Sequence, residues 1–381
     1  MNVPKLRFKE FNDELSNYKF KDICTFFSGG TPTSSNKDYY NGNIPFIRSG
    51  EIYSDNTELF INQDAINNSS AKLVNKGDLL LALYGATSGN VAISKIDGAI
   101  NQAILCIKPQ YGYSKIFIRY LLENKKETIL KTFLQGGQGN LSAEIIKNLN
   151  YSFPQIEEQE KIGNMLSLLD KKIELQTRKI EDLKLFKKGL HNKLFNEYDG
   201  DDYLLSDIAI FENGKGHENI VDDNGEYILI NSKFISTEGN VIKKCSEQLT
   251  PLFKNDITMV MSDLPNGKAL AKCYYIDEDN KYSLNQRICK IKIKDDSVIN
   301  SKYLFYLLNR NHYFLKFDDG VNQTNLKKDD ILSLNLVLPS IKDQERNSKI
   351  LTIIDNLIEK ENNKLSKLNL LKKGLMQNMF V

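Results

Sequence analysis

Apolar residues recur at helical spacing over two long stretches of this chain. After Pro154 about 40 residues pass without another proline, and Ile162, Leu166, Leu169, Ile173, Ile180, Leu183, Leu190 and Leu194 fall on a four–three alternation. That is the seam of a coiled coil. A second stretch repeats it with Leu351, Ile354, Ile358, Leu365, Leu368, Leu375 and Met379. Where the first seam turns polar so does the second: Gln176 matches Glu361, and Lys187 matches Lys372. Polar seam positions fix register and partner orientation at some cost in stability. Ser340-Ile-Lys-Asp343 has the spacing of a capping box at the start of the second helix. Two seams of this length predict that the helices pack on one another, and about 36 helical residues span roughly 54 Å.

Outside these stretches the pattern changes to short β-like runs, such as IPFI (44–47), DLLLAL (78–83), NVAIS (90–94) and AILCIK (103–108), separated by Gly/Ser/Thr/Asn loops. Amphipathic helices are expected around 114–131 and 301–316. The reading is two mixed α/β domains alternating with two long helices, an α+β chain.

The alternation is a duplication. At an offset of 185 residues, 153–195 aligns without a gap on 338–380, with 16 identities in 43 positions. Upstream, QGNLSAEIIKNLNYSFP (138–154) lies over QTNLKKDDILSLNLVLP (323–339), and YKFKDI (18–23) over YLLSDI (203–208). A period this long marks a duplicated domain, since solenoid repeats run 20–50 residues. The mixed domains share only a skeleton, such as KGDLLLAL (76–83) with KNDITMVM (254–261) and NQAILCIK (101–108) with NQRICKIK (285–292). A similar scaffold thus carries two divergent payloads. The expected boundaries are 1–152, 153–197, 198–337 and 338–381.

Composition narrows the function. With 41% apolar and 10% aromatic residues the chain can build real cores. Lys and Arg number 51 against 49 Asp and Glu, a net charge of +2, so any nucleic-acid contact must use locally concentrated groups. Five cysteines without CxxC spacing and three histidines argue against zinc and for buried free thiols. The start, MNVPKLRFKEFNDEL, has no apolar signal region and no 18-residue apolar run occurs, so a soluble, cytoplasmic protein is expected.

Catalytic signatures are missing. There is no Asp/Asn-Pro-Pro-aromatic tetrapeptide of an amino-methyltransferase, no GxxxxGK[ST] and no Ser/His/Asp pattern. SGGTP (28–32) and GGQGN (136–140) read as loops. Asp170-Lys171-Lys172 mimics the tail of a nuclease D-x-K motif, but it lies in the heptad helix, where charges normally face water. The chain reads as a binder.

SGGTPTSSNKDYYNGNIPFIRSGEI (28–52) resembles the opening of a target recognition domain in the specificity (S) subunits of type I restriction–modification systems. PQIEEQEKIGNML (154–166) resembles that family's helix start, P-P-L-x-E-Q-x-x-I, with Gln155 and Ser340 replacing the second Pro and Asn347 replacing Ile in the second copy. The resemblance covers the whole chain. It implies two long antiparallel coiled-coil helices related by a pseudo-two-fold, holding two target recognition domains that each read half of a bipartite, asymmetric site on double-stranded DNA. It further implies a non-catalytic chain without a cofactor of its own. Its partners would be two modification subunits, which carry S-adenosylmethionine and methylate adenine N6, and a restriction (motor/nuclease) subunit using ATP and Mg. A coiled-coil scaffold presenting two protein-binding domains without DNA is the alternative.

Base edges are read by Asn/Gln toward adenine and Arg/Lys toward guanine. The candidates in the first domain are Ser28, Thr31, Thr33, Arg48, Ser49, Tyr84, Thr87, Ser88, Gln138 and Asn140. In the second they are Lys215, His217, Asn231, Lys233, Ser262, Asn266, Lys268, Arg287, Gln323 and Lys327. Gln138-Gly-Asn140-Leu141 and Gln323-Thr-Asn325-Leu326 occur in both copies, which favours structure or backbone contact over base readout. His217 reads better as an ordinary loop histidine.

Overall fold

Both long periodic stretches are single helices in the computed structural model, which describes residues 3–133, 140–196, 200–265 and 267–380. With α1 at Lys115–Phe133, the first long helix, α2, runs Ile156–Asn196; after the shorter α3 at Ser301–Leu308, the second, α4, runs Ile341–Met379. At 41 residues, α2 is about 60 Å long. Ser340 opens α4 in a variant of the expected cap. Its hydroxyl accepts from the Asp343 N–H at 3.3 Å and donates to the Asp343 carboxylate at 2.7 Å.

The chain divides into two compact units, Met1–Lys179 with Asn362–Val381, and Ile180–Glu361. The division cuts through both long helices, because each mixed domain packs on half of α2 and half of α4.

In the first unit a four-stranded antiparallel sheet takes the order 24–28, 104–109, 79–82, 91–93. Its central strand, Leu79–Ala82, is apolar throughout because both faces are covered. Leu79 and Leu81 face a core shared with α1, while Leu80 and Ala82 join Ile47, Ile100 and Cys106. A second sheet (60–61, 44–47, 98–100, 72–74) contains one parallel pair, Phe46 with Ala99. Strands Ser16–Lys19 and Asn150–Phe153 pair antiparallel, closing the domain just before α2. The second unit repeats the plan with 209–213, 288–293, 257–260, 273–275, a parallel pair between 227–230 and 282–284, and strands Asp201–Leu204 and Asn335–Leu338 closing before α4.

One expected helix breaks. Residues 301–316 form α3 and a separate turn of helix, His312–Leu315. Between them Arg310 adopts φ +58°, its N–H donates to the Ala271 carbonyl (2.8 Å), and the Asn309 side chain accepts from the Cys273 N–H (2.9 Å). Asn311 then caps the next turn through the Tyr313 N–H. The segment leading into strand 273–275 has taken the Arg310 N–H that a continuous helix would have used.

Each unit holds its pieces of α2 and α4 antiparallel. In the first, Ile162 and Leu166 share a core with Phe117, Met376, Met379 and Phe380, and further along the pair Asp170 meets Lys372 at 2.7 Å. In the second, Lys187 bonds Asp355 at 2.5 Å, and Phe195 stacks on Tyr303 with ring centroids 4.7 Å apart. Of the seam residues, Ile162, Leu166, Leu169, Ile180, Leu351 and Ile354 are buried, whereas Ile173, Leu183, Leu190, Leu194, Ile358, Leu365, Leu368 and Leu375 are half-buried. Asn347, which replaces an Ile, is buried, and its Oδ1 has no hydrogen-bond partner among the described residues.

The polar seam positions are latches. The Asp170 carboxylate accepts from the Tyr120 hydroxyl (2.7 Å), Arg119 (3.0 Å) and Lys372, and Lys372 also reaches Glu123 (2.9 Å). Asp170 therefore does not face water as its place in the heptad helix suggests. Asp355, its repeat counterpart, accepts from Lys187 and Tyr306 (2.7 Å), so Lys187 faces Asp355 and not Lys372. Burial alone would raise the Asp170 carboxyl, but hydrogen bonds from Lys372 and Tyr120 and the charges of Lys372 and Arg119 outweigh it and hold it below the usual range. Burial pulls the Lys372 ammonium down, and Asp170 and Glu123 more than offset that, leaving it raised. Gln159 and Gln344 do a second repeated job. Each amide donates to the proline carbonyl that precedes its helix, at 2.8 and 2.9 Å. Each side-chain oxygen accepts a backbone N–H at the start of the domain's own helix, from Ser114 or Asn300.

All five cysteines are buried and unpaired. Burial pushes the Cys24, Cys106 and Cys289 thiols up to about 12.

Candidate nucleic-acid interface

The same four loops converge in each unit, with two backbone hydrogen bonds between them in common. In the first, the Leu83 N–H donates to the Ala103 carbonyl (2.7 Å) and the Leu141 N–H to the Leu83 carbonyl (3.0 Å). In the second, the Met261 N–H donates to the Arg287 carbonyl (3.0 Å) and the Leu326 N–H to the Met261 carbonyl (2.8 Å). The fourth loop, just after the first strand of the sheet, is drawn in by glycine. A Cβ on Gly29 would sit 1.7 Å from the Ile100 carbonyl oxygen, and one on Gly214 2.1 Å from that of Asn285. No side chain fits there.

This frame gathers part of the sequence-derived set. In the first domain it brings together Ser28, at the end of its strand, and Thr31, whose hydroxyl donates to Gln102 Oε1 (2.6 Å), with Tyr84, Thr87 and the exposed Asn140. Tyr84 is half-buried against the core, and Thr87 bonds the Tyr84 carbonyl (3.4 Å). Thr33 is exposed in the loop beyond Thr31. In the second domain the frame gathers Lys215, Ser262, Arg287, Gln323 and Lys327. The Lys215 carbonyl accepts the Gln286 N–H (3.0 Å), and Gln323 donates to the Ser262 hydroxyl (2.7 Å). Lys233 and Lys268 are exposed on neighbouring segments. Gln138 and Asn266 lie outside the described residues.

Other candidates are committed to the fold. Ser88 is buried and its hydroxyl donates to the Leu83 carbonyl (2.9 Å). His217 is buried with both ring nitrogens engaged, by the Lys215 carbonyl and the Ser283 hydroxyl, each at 2.7 Å. Asn231 caps a short helix through the Phe234 N–H (2.8 Å). Ser262 is buried beside Gln323. Arg48 is held by Glu51 (3.0 Å) and Glu58, with Ser49 opening the turn between them. Two carboxylates on one guanidinium leave it little charge to offer a base.

Gln102 and Gln286 were missed. Both are exposed on the frame, and Gln286 donates to Glu218. The signal was present, because the Asn-Gln pair opens the matched segments at 101 and 285. No group of three potential metal ligands occurs among the described residues, and no helix among them is long and apolar enough to cross a membrane.

A family model for the type I restriction modification DNA specificity domain matches the chain twice, over 12–185 and 201–370. The MjaVIII type I restriction enzyme specificity subunit of Methanocaldococcus jannaschii is 23% identical over 387 residues, covering 93% of this chain and 89% of that protein. The MjaIX specificity subunit of the same organism is 29% identical over 211 residues, 52% of this chain and 49% of that one. Among solved structures, the S subunit of a type I restriction–modification system from M. genitalium superposes with a TM-score of 0.67 at 16% identity, over 100% of this chain and 99% of its own. That likeness shows the shared fold.

Proposed function

Because the chain belongs to the type I restriction–modification DNA specificity family, we propose that each of its two domains reads one half of a bipartite, asymmetric site on double-stranded DNA, with α2 and α4 as the spacer between them. One observation carries this reading. The loop frame is built on the same two cross-loop backbone hydrogen bonds in both units, yet the side chains on it differ: Gly30, Ala103 and Ser142 in one stand where Lys215, Arg287 and Lys327 stand in the other. A scaffold that keeps its loop connections and changes its polar groups is suited to reading two different base sequences.

A repeated surface on the helices supports docking of two copies of one partner, the modification subunits. The first unit exposes Leu168, Leu370 and Leu371, and the second exposes their counterparts Ile353, Leu185 and Phe186, each more than half accessible. Exposed apolar groups at matched positions suit two identical protein contacts. In this reading the chain is non-catalytic and binds no cofactor itself. S-adenosylmethionine serves the modification subunits, and ATP and Mg the restriction subunit.

The test is the methylome of cells carrying this chain with its modification subunits. The expected motif has two unlike half-sites around a fixed spacer, and exchanging 203–335 for another family member's domain changes only one of them. A continuous motif, or both half-sites changing together, rules the assignment out.

A further inference from the structure

The loop after the parallel strand makes the same turn in both domains, Asn-Gln-Ala-Ile at 101–104 and Asn-Gln-Arg-Ile at 285–288. The fourth N–H donates to the first carbonyl, at 3.2 and 3.3 Å. Its third residue behaves differently in the two copies. Ala103 has ordinary backbone angles, and its N–H donates to Asn101 Oδ1 (3.1 Å). Arg287 sits at φ +69°, a region that strains side chains and favours glycine. The corresponding acceptor, Asn285 Oδ1, is buried without a partner among the described residues. One residue thus introduces both backbone strain and an orphaned acceptor.

Contacts among the described residues do not compensate for either. The Arg287 side chain is exposed, and its guanidinium has no ion pair or hydrogen bond among the described residues. Arg310, the other arginine at positive φ, shows what compensation looks like: its guanidinium donates to the Leu270 carbonyl at 3.1 Å and its N–H to that of Ala271. Glycine would suit position 287 better, yet the chain has an arginine there, on the frame and between Lys215 and Lys327.

We propose that Arg287 is a specificity-determining residue of the second domain, its guanidinium reading a guanine in the major groove while Lys215 and Lys327 contact phosphates on either side. This rests on the DNA-reading assignment above. A guanidinium fork matches the O6 and N7 acceptors of guanine, whereas lysines act on phosphates as point charges. The first domain lacks an equivalent, since Ala103 replaces Arg287 and the nearby Arg48 is held by Glu51 and Glu58. The second half-site therefore contains a required guanine that the first domain's frame has no free arginine to read.

The test uses full-length chain with its modification subunits and methylome sequencing of wild type, Arg287→Gly and Lys215→Ala. Glycine accepts the positive φ, so Arg287→Gly folds at least as well as wild type, checked by its melting temperature. Its motif should keep the first half-site and lose one guanine from the second, with methylation at sites substituted there rising roughly ten- to a hundredfold relative to the cognate site. Lys215→Ala should lower methylation evenly without changing the motif. An unchanged motif in Arg287→Gly, or a change confined to the first half-site, overturns the assignment of Arg287. A wild-type chain that directs no bipartite methylation overturns the DNA-reading assignment itself, and with it this one.

Discussion

Deleting residues 376–381 should unfold the first unit and leave the second intact. Met376, Met379 and Phe380 are buried in the core that holds Phe117, Tyr120, Ile162 and Leu166, with the Phe380 and Phe117 rings 5.1 Å apart. Burying a large apolar side chain contributes about 1.5–3 kcal/mol, so the three together supply roughly 5–9 kcal/mol, an upper bound since unfolded chains are not fully extended. A domain's whole stability is about 5–15 kcal/mol. The truncation also removes Asn378, whose carbonyl accepts the Leu6 N–H at 2.9 Å. The second unit, Ile180–Glu361, contains none of these residues. Hydrogen exchange read peptide by peptide is the suitable assay, because a two-unit chain need not unfold in one step. Amides in 115–133 and 156–172 should lose protection while those in 257–260 and 288–293 keep theirs. Phe380→Leu, which retains most of the volume, should keep protection throughout. Full protection of 115–133 in the truncated chain would refute the claim that the C-terminal end is core.

Three further outcomes are expected. Asp170→Asn should cost about 1–3 kcal/mol in the first unit. It should also flatten that unit's acid dependence: a carboxyl held below its ordinary value contributes above about pH 3.9 and loses that contribution as pH falls through its lowered value. Exchange of 115–133 between pH 2 and 5 checks this, and an unaltered acid profile counts against the latch. The raised Lys372 acts at the other end, contributing fully below about pH 10.4 and losing its effect as pH rises through its raised value. Asn347→Ile, which removes a buried unpaired acceptor and restores the first copy's residue type, should stabilise the second unit by about 1–3 kcal/mol, read as slower exchange in 301–308; faster exchange there would refute it. Finally, residues 1–196 alone should dimerise in sedimentation, because a second copy can offer Lys187, Leu194 and Phe195 where the full chain offers Lys372, Met379 and Phe380. Lys187→Glu, set against Asp170 and Glu123, should abolish that dimer, and a dimer that survives it is held some other way.

The helices were legible because their periodicity is long and internally repeated; over 40 residues a seam leaves little room for another reading. What lies on them was less so. Asp170 was read as solvent-facing because heptad position says nothing of Tyr120, a tyrosine 50 residues upstream that donates to it. The break after Leu308 came from a strand edge capturing Asn309 and Arg310, although Asn-Arg-Asn was a visible warning. At the candidate interface, residue type selected Arg48, Ser88 and His217 for chemistry each could perform, but partners decide availability. Glu51 and Glu58 hold the first, and the other two are buried in hydrogen bonds. Arg287 was selected for its charge alone. Its distinguishing property is a backbone angle, which no pattern of residue types displays.

The discontinuous first unit has a consequence for how the chain is made. Residues 1–179 are translated before 180–361, yet the core they belong to is completed by Met376, Met379 and Phe380, which are translated only after the whole of the second unit. At translation rates of about 5–20 residues per second, the intervening stretch takes roughly ten to forty seconds. During that interval Ile162, Leu166 and Phe117 have no permanent cover, while the contiguous second unit can finish folding as soon as it emerges. Synthesis order is thus reversed in folding: of the two units the one begun first is completed last, and a chain cut short before Met376 carries one finished unit and one exposed core, a natural target for proteolysis.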